Sequence, residues 1–179
     1  MSCAPSFIST LGMASNFSHS IPESMGTKSY RENEMKIPRM TVITLGVDDL
    51  ARATAFYREI FSTPPITQYE GVTFIPLPGV WLSLYPLEKL AEDIAEPVTL
   101  PAANTFRGFT LAYNARSKEE ILSIFARVAA AGAHIAKVPQ ATFWGGYSGY
   151  FTDPDGNYWE VAWGEMFEFT EHGDLRFKA

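Results

Sequence analysis

The chain has a single cysteine, Cys3, in 179 residues. No disulfide can form within it, which fits a reducing compartment, and the expected location is cytoplasmic. It has three histidines, His19, His134 and His172, and no pair stands at i, i+4 or another metal-ligand spacing. His134 follows Gly132-Ala133 at the start of an expected strand and reads as a turn or surface histidine rather than a ligand. Basic residues are also scarce, with 14 Lys and Arg against 20 Asp and Glu, for a net charge of −6. That balance argues against nucleic acid as a partner. No apolar run is long enough to span a bilayer, so no membrane partner is expected either.

Residues 1–38 lack a periodic apolar pattern and are rich in Ser, Met and Asn. The first basic residue is Lys28, so a charged leader region is absent, and so little arginine makes a poor transit peptide. The stretch reads as an extension, disordered or loosely docked. Met35 and Met40 stand just before the fold is expected to begin and are alternative starts. Asn16-Phe-Ser18 matches a glycosylation acceptor, which matters only in a secreted protein.

The richest segment is Gly149-Tyr-Phe-Thr-Asp-Pro-Asp-Gly-Asn-Tyr-Trp-Glu-Val-Ala-Trp163. It reads as a β-hairpin. Asp153 can accept from its own backbone, Pro154 presets φ, and Gly156 supplies a positive φ. The returning strand carries one carboxylate, Glu160, among large apolar neighbours. A charge there is costly unless it is paired, binds a metal or faces a wet cavity, so Glu160 is the first site candidate. The alternative is an edge-strand glutamate in solvent.

A duplication runs through the chain. Thr41-Val-Ile-Thr-Leu-Gly-Val47, followed by a helical pattern, parallels Arg107-Gly-Phe-Thr-Leu-Ala-Tyr113, also followed by one. The turn at Pro78-Gly79 and the run Val80–Tyr85 parallel the turn at Gly156 and its strand, which sets Ser83 against Glu160. Two modules of strand, helix and strands are expected. Alternation puts Ile43, Leu45 and Val47 on one face of the first strand, with Val42, Thr44 and Gly46 on the other. In the second module Phe109, Leu111 and Tyr113 oppose Gly108, Thr110 and Ala112. The helices, one opening near Asp49 and one with Ser117 and Glu120 at capping-box spacing, cover the bulky faces. Gly132 ends the second helix. The faces of smaller residues are left to line a concavity.

These motifs together, an opening Ile-Thr-Leu-Gly-Val-Asp-Asp-Leu with Ala-Phe-Tyr in its helix and a closing Phe-Thr-Asp-Pro-Asp-Gly-Asn-Tyr-Trp-Glu, resemble the vicinal oxygen chelate superfamily. That group includes glyoxalase I, bleomycin resistance proteins, extradiol dioxygenases and fosfomycin resistance enzymes. The resemblance implies an α+β fold of two βαβββ modules related by a pseudo-twofold, with strands curved around a shared cleft. It covers residues 39–166: module one at 39–86, a linker at 87–105 holding a short helix from Leu87 to Ala95, and module two at 106–166. Residues 167–179 form a tail. The family's enzymes typically hold a divalent metal on the concave face, and its ligand positions fall here on Val42, Ser83, Gly108 and Glu160. Only Glu160 is a metal donor of the usual kind, so no bound metal and no other cofactor are expected.

If Glu160 points inward, period two puts Tyr158 beside it, and Trp81, Ser83 and Tyr85 line the matching face of module one, with Thr44 and Thr110 on the first strands. Trp144, in the glycine-rich run Phe143–Tyr150, folds over the cavity mouth or into the core. No helix follows that run, so it is not a phosphate loop. An aromatic-lined cleft with one carboxylate suits a small aromatic or cationic organic molecule; the same aromatics would otherwise serve as core. Three function classes stay open: a metal-free binding protein like the bleomycin resistance proteins, a lyase, isomerase or dioxygenase-type enzyme with Glu160 as general base, and a non-catalytic scaffold. A homodimer is expected, because sheets that form clefts leave edges to cover.

Overall fold

The structure is a computed structural model that describes residues 39–94, 97–102 and 105–178. The expected extension over 1–38, with Cys3 and His19, lies outside the described residues.

Module one comprises strand β1 (Val42–Val47), helix α1 (Leu50–Ile60), and strands β2 (Thr73–Ile75) and β3 (Trp81–Pro86). β1 runs parallel to β3, and β2 pairs with β3 antiparallel, in the order β1-β3-β2. A single bridge between Ile66 and Phe74 is all that forms of a fourth strand. Pro64 and Pro65 stand just before it and offer no amide donors to a ladder. Module two comprises β4 (Leu111–Asn114), α3 (Lys118–Ala130), β5 (His134–Ala141), β6 (Tyr147–Thr152) and β7 (Tyr158–Trp163). Its order, β4-β7-β6-β5, repeats module one with the fourth strand complete. Between the modules lies α2 (Leu87–Ile94).

Local chemistry sets the element ends. The Asp49 side chain caps α1 by accepting from Arg52 N at 3.0 Å, and Ser117 caps α3 by accepting from Glu120 N at 3.2 Å. The second half of the capping box bonds one residue further out than usual, with Glu120 Oε2 accepting from Arg116 N at 2.7 Å. Gly132, at φ 90°, follows the end of α3.

Two elements differ from expectation. The strand expected over 107–113 begins only at Leu111. Gly108 has φ 79°, which turns the chain and cannot continue an extended strand. Thr110 therefore precedes the sheet. The tail contains a further hairpin, β8 (Phe167–Phe169) with β9 (Leu175–Phe177). Phe167 packs 6.1 Å from the Trp144 ring, and Arg116 lies 4.7 Å over the Phe169 ring, so module-two side chains hold it.

The helix-facing sides of both sheets share one core. Leu45, Val47, Leu82 and Leu84 from sheet one join Ile121, Phe125, Phe151, Trp159 and Val161 from module two. Tyr57 of α1 and Trp159 of β7 bring the modules together, with ring centroids 6.1 Å apart.

Candidate functional site

Glu160 sits in the middle of β7, half-buried, while Trp159 and Val161 on either side of it are buried in the core. The alternation follows from the pleat. The turn that delivers the strand is built around Asp153. Its Oδ1 accepts from Asp155 N at 3.0 Å and from Asn157 N at 2.8 Å. Its Oδ2 accepts from Asn157 Nδ2 at 2.8 Å and from the Tyr57 hydroxyl at 2.7 Å. Gly156 takes φ 79° to close the turn. Arg107 donates to Asn157 Oδ1 at 2.7 Å.

The hairpin register places Tyr150 of β6 opposite Glu160. Burial, then the neighbouring Glu160 carboxylate, pushes the Tyr150 phenol up to about 12. One strand further, Lys137 pairs with Tyr150 in register, its ammonium 5.7 Å from the ring centroid. The inner face of sheet two thus carries a row of Glu160, Tyr150 and Lys137, with Ala112 of β4 on the far side of Glu160. Tyr158 lies on the same face, edge-on to Phe106 at 5.6 Å.

The inner face of sheet one carries Thr44, Trp81, Ser83 and Tyr85. Ser83 is buried and pairs in register with Thr44 and Phe74. Trp81 is 42% exposed and packs 6.3 Å from the Phe74 ring. The other end of this face is covered. Helix α2 lies on it, and a Cβ on Gly46 would meet Leu87 Cδ1 at 2.6 Å. Burial, then the Asp93 carboxylate of α2, raises the Tyr85 phenol above its ordinary value.

The expected site residues therefore fall into separate groups. Thr44 and Ser83 are register partners, Trp81 sits two residues along β3, and Tyr85 is engaged by α2. Tyr158 and Glu160 share β7, and Thr110 precedes β4. Among the described residues, no hydrogen bond or ring contact joins Thr44, Trp81, Ser83 or Tyr85 to Thr110, Tyr150, Tyr158 or Glu160. Trp144 packs on the tail hairpin and against Gly146 and Gly164. Tyr150 and Lys137 share this face with Glu160, and period-two counting along β7 does not find them. Counting outward from the Asp153–Asn157 turn pairs Tyr150 with Glu160; no comparable signal existed for Lys137, because β5 shifts register on both sides of it.

The four positions that the resemblance assigns to a metal carry one carboxylate. Val42 is apolar and 41% exposed. Gly108 has no side chain and lies outside β4. Ser83 offers a neutral hydroxyl, and Glu160 alone is a carboxylate. Among the described residues, no group of three or more His, Cys, Asp or Glu side chains is placed to hold a metal ion. Among them also, no helix is long and apolar enough to cross a membrane.

Residues 39–161 match the family model of the glyoxalase/bleomycin resistance protein/dioxygenase superfamily. The chain belongs to this superfamily. The solved structure of a glyoxalase-related enzyme from Fulvimarina pelagi superposes with a TM-score of 0.71 at 31% identity, covering 80% of this chain and 100% of that one. A metallothiol transferase, FosB, from Shouchella clausii is 27% identical over 131 residues, which is 73% of this chain and 83% of the relative. The genomically encoded fosfomycin resistance protein FosX from Listeria monocytogenes superposes with a TM-score of 0.56 at 26% identity, over 73% of this chain and 97% of that one. Such relatives span different chemistries, so the family alone does not choose among them.

Proposed function

We propose that this superfamily member binds a small aromatic or cationic organic molecule on its inner sheet faces without a bound metal, with Glu160 as the charged anchor. The observation that carries the reading is the Glu160 carboxylate, half-buried in the middle of β7 opposite Tyr150 and, among the described residues, without an ion-pair partner. A carboxylate so placed, beside the Tyr158 and Phe106 rings, recognises an ammonium or a hydrogen-bond donor on a flat body. Trp81 offers a second aromatic surface.

A second copy of the chain completes the cleft in this reading. β1 and β4 lie at the edges of their sheets, and among the described residues no hydrogen bond or ring contact joins the two inner-face groups. Pairing across a twofold would cover both edges and bring module one of one copy to module two of the other.

The enzymatic alternative is favoured by the 31% identity to a glyoxalase-related enzyme over its full length. In that case Glu160 acts as general base, with Tyr150 opposite it. A thermal-shift screen of aromatic amines and quaternary ammonium compounds, beside their neutral and anionic analogues, tests the reading. Stabilisation by the cationic members alone is expected; stabilisation by none, or equally by the neutral analogues, would remove Glu160 as anchor. About one transition metal per chain retained after dialysis would overturn the metal-free part.

A further inference from the structure

A cavity of about 300 Å³ opens on the opposite side of β7 from Glu160, between the end of α1, helix α3 and the helix-facing side of sheet two. Its floor is buried and apolar, made by Phe151, Trp159 and Val161, with Phe61 as a wall. Its volume lies at the low end of small-molecule pockets, room for roughly ten waters. An apolar floor holds such water poorly, since water there finds few polar partners.

The rim is polar and asymmetric. Glu120, Ser123 and Arg127 follow one side of α3 at i, i+3 and i+7. The acid is already engaged: Glu120 accepts from the Tyr113 hydroxyl through Oε1 and from Arg116 N through Oε2. Burial, then Glu120, pushes the Tyr113 phenol up to about 12, which keeps it neutral and donating. Arg127 is exposed, and among the described residues its side chain has no hydrogen-bond or ion-pair partner. Seven residues of helix put it about 10 Å from Glu120, beyond the Debye length of roughly 8 Å at physiological salt. The free charge at the rim is therefore a single guanidinium.

We propose that this cavity is a second binding site, separate from the inner face, for a small amphipathic monoanion: a ring system seated on Phe151 and Trp159 with one carboxylate turned to Arg127. A planar guanidinium suits a carboxylate through paired N–H donors. Among the described residues, Arg127 is the only cation lining the cavity, which favours a monoanion over a phosphate ester.

Calorimetric titration of the full chain with naphthalene-2-carboxylate, and with the neutral naphthalene-2-carboxamide, tests the site. Saturable binding of one carboxylate per chain is expected. Arg127→Gln should weaken the carboxylate by about tenfold or more while leaving the amide unchanged, as loss of a charged hydrogen bond does. Ser123→Trp, at an exposed rim position, should block both probes without changing the melting temperature. No saturable binding to the wild type, or carboxylate binding by Arg127→Gln equal to wild type, would overturn the proposal. So would loss of binding in Glu160→Gln with retention in Ser123→Trp, which would put the probe on the inner face.

Discussion

The Tyr57 hydroxyl donates a 2.7 Å hydrogen bond to Asp153 Oδ2, across 96 residues of sequence. The same hydroxyl accepts from Trp159 Nε1 at 3.1 Å. A helix of module one is thereby tied to the turn and strand that present Glu160 in module two. Both Tyr57 and Asp153 are buried, so neither group can exchange the bond for water.

Tyr57→Phe keeps the ring and removes the hydroxyl. It leaves the Trp159 indole N–H without a partner and Asp153 with one fewer donor. A loss of about 1–3 kcal/mol in urea unfolding is expected. A loss near zero would mean that the tie between modules contributes nothing net.

Alkaline pH should weaken the fold through the same residue. Burial, then the Asp153 charge and hydrogen bond, hold the Tyr57 phenol well above its ordinary value of 10.0. The folded state keeps a proton that the unfolded state loses, so the contribution is complete below pH 10 and falls as pH rises above it. Tyr85, Tyr113 and Tyr150 are shifted in the same direction. Urea midpoints should hold level up to about pH 10 and then drop, less steeply in Tyr57→Phe. Equal slopes in the two proteins would show that Tyr57 ionises freely in the fold.

Gly149 and Gly46 both sit in strands under close cover, yet alanine should affect them differently. A Cβ on Gly149 would meet Lys137 O at 2.8 Å and Pro139 N at 2.9 Å, which are backbone atoms, and Phe125 Cζ at 2.5 Å. On Gly46 the closest atom is the end of the Leu87 side chain, at 2.6 Å. Gly149→Ala should cost about 1–3 kcal/mol, and Gly46→Ala clearly less, because Leu87 can rotate away. Thermal melts of the two variants decide it; the reverse order would contradict the packing described for β5 and β6.

The account also expects a dimer. Sedimentation at micromolar concentration should give a particle of two chains, and monomer alone would leave the inner faces without a closing partner.

What the sequence made legible was mostly local. The Asp153–Gly156 turn, the helix start near Asp49, the cap at Ser117, the stop at Gly132 and the alternation around Glu160 each depend on a few neighbouring residues, and each is found in the fold. The misses involve distant chain. Alternation alone extends the second module's first strand back to Arg107, but Gly108 adopts a positive φ that breaks it. Alternation places Tyr85 on the inner face but cannot foresee that α2 folds back onto it, and Trp144, left open between cavity mouth and core, packs on the tail hairpin. Lys137 reaches Tyr150 only through register shifts in β5, which no periodic count can foresee.

The most direct test of the central claim is titration of wild type and Glu160→Gln with the aromatic cations that stabilise the wild type. Gln keeps the size and the hydrogen-bonding reach but carries no charge. The account predicts affinity reduced by about tenfold or more, with a melting temperature within about 2–4 °C of wild type. A variant that binds every such cation as the wild type does, yet melts far lower, would show that Glu160 supports the fold and anchors no ligand.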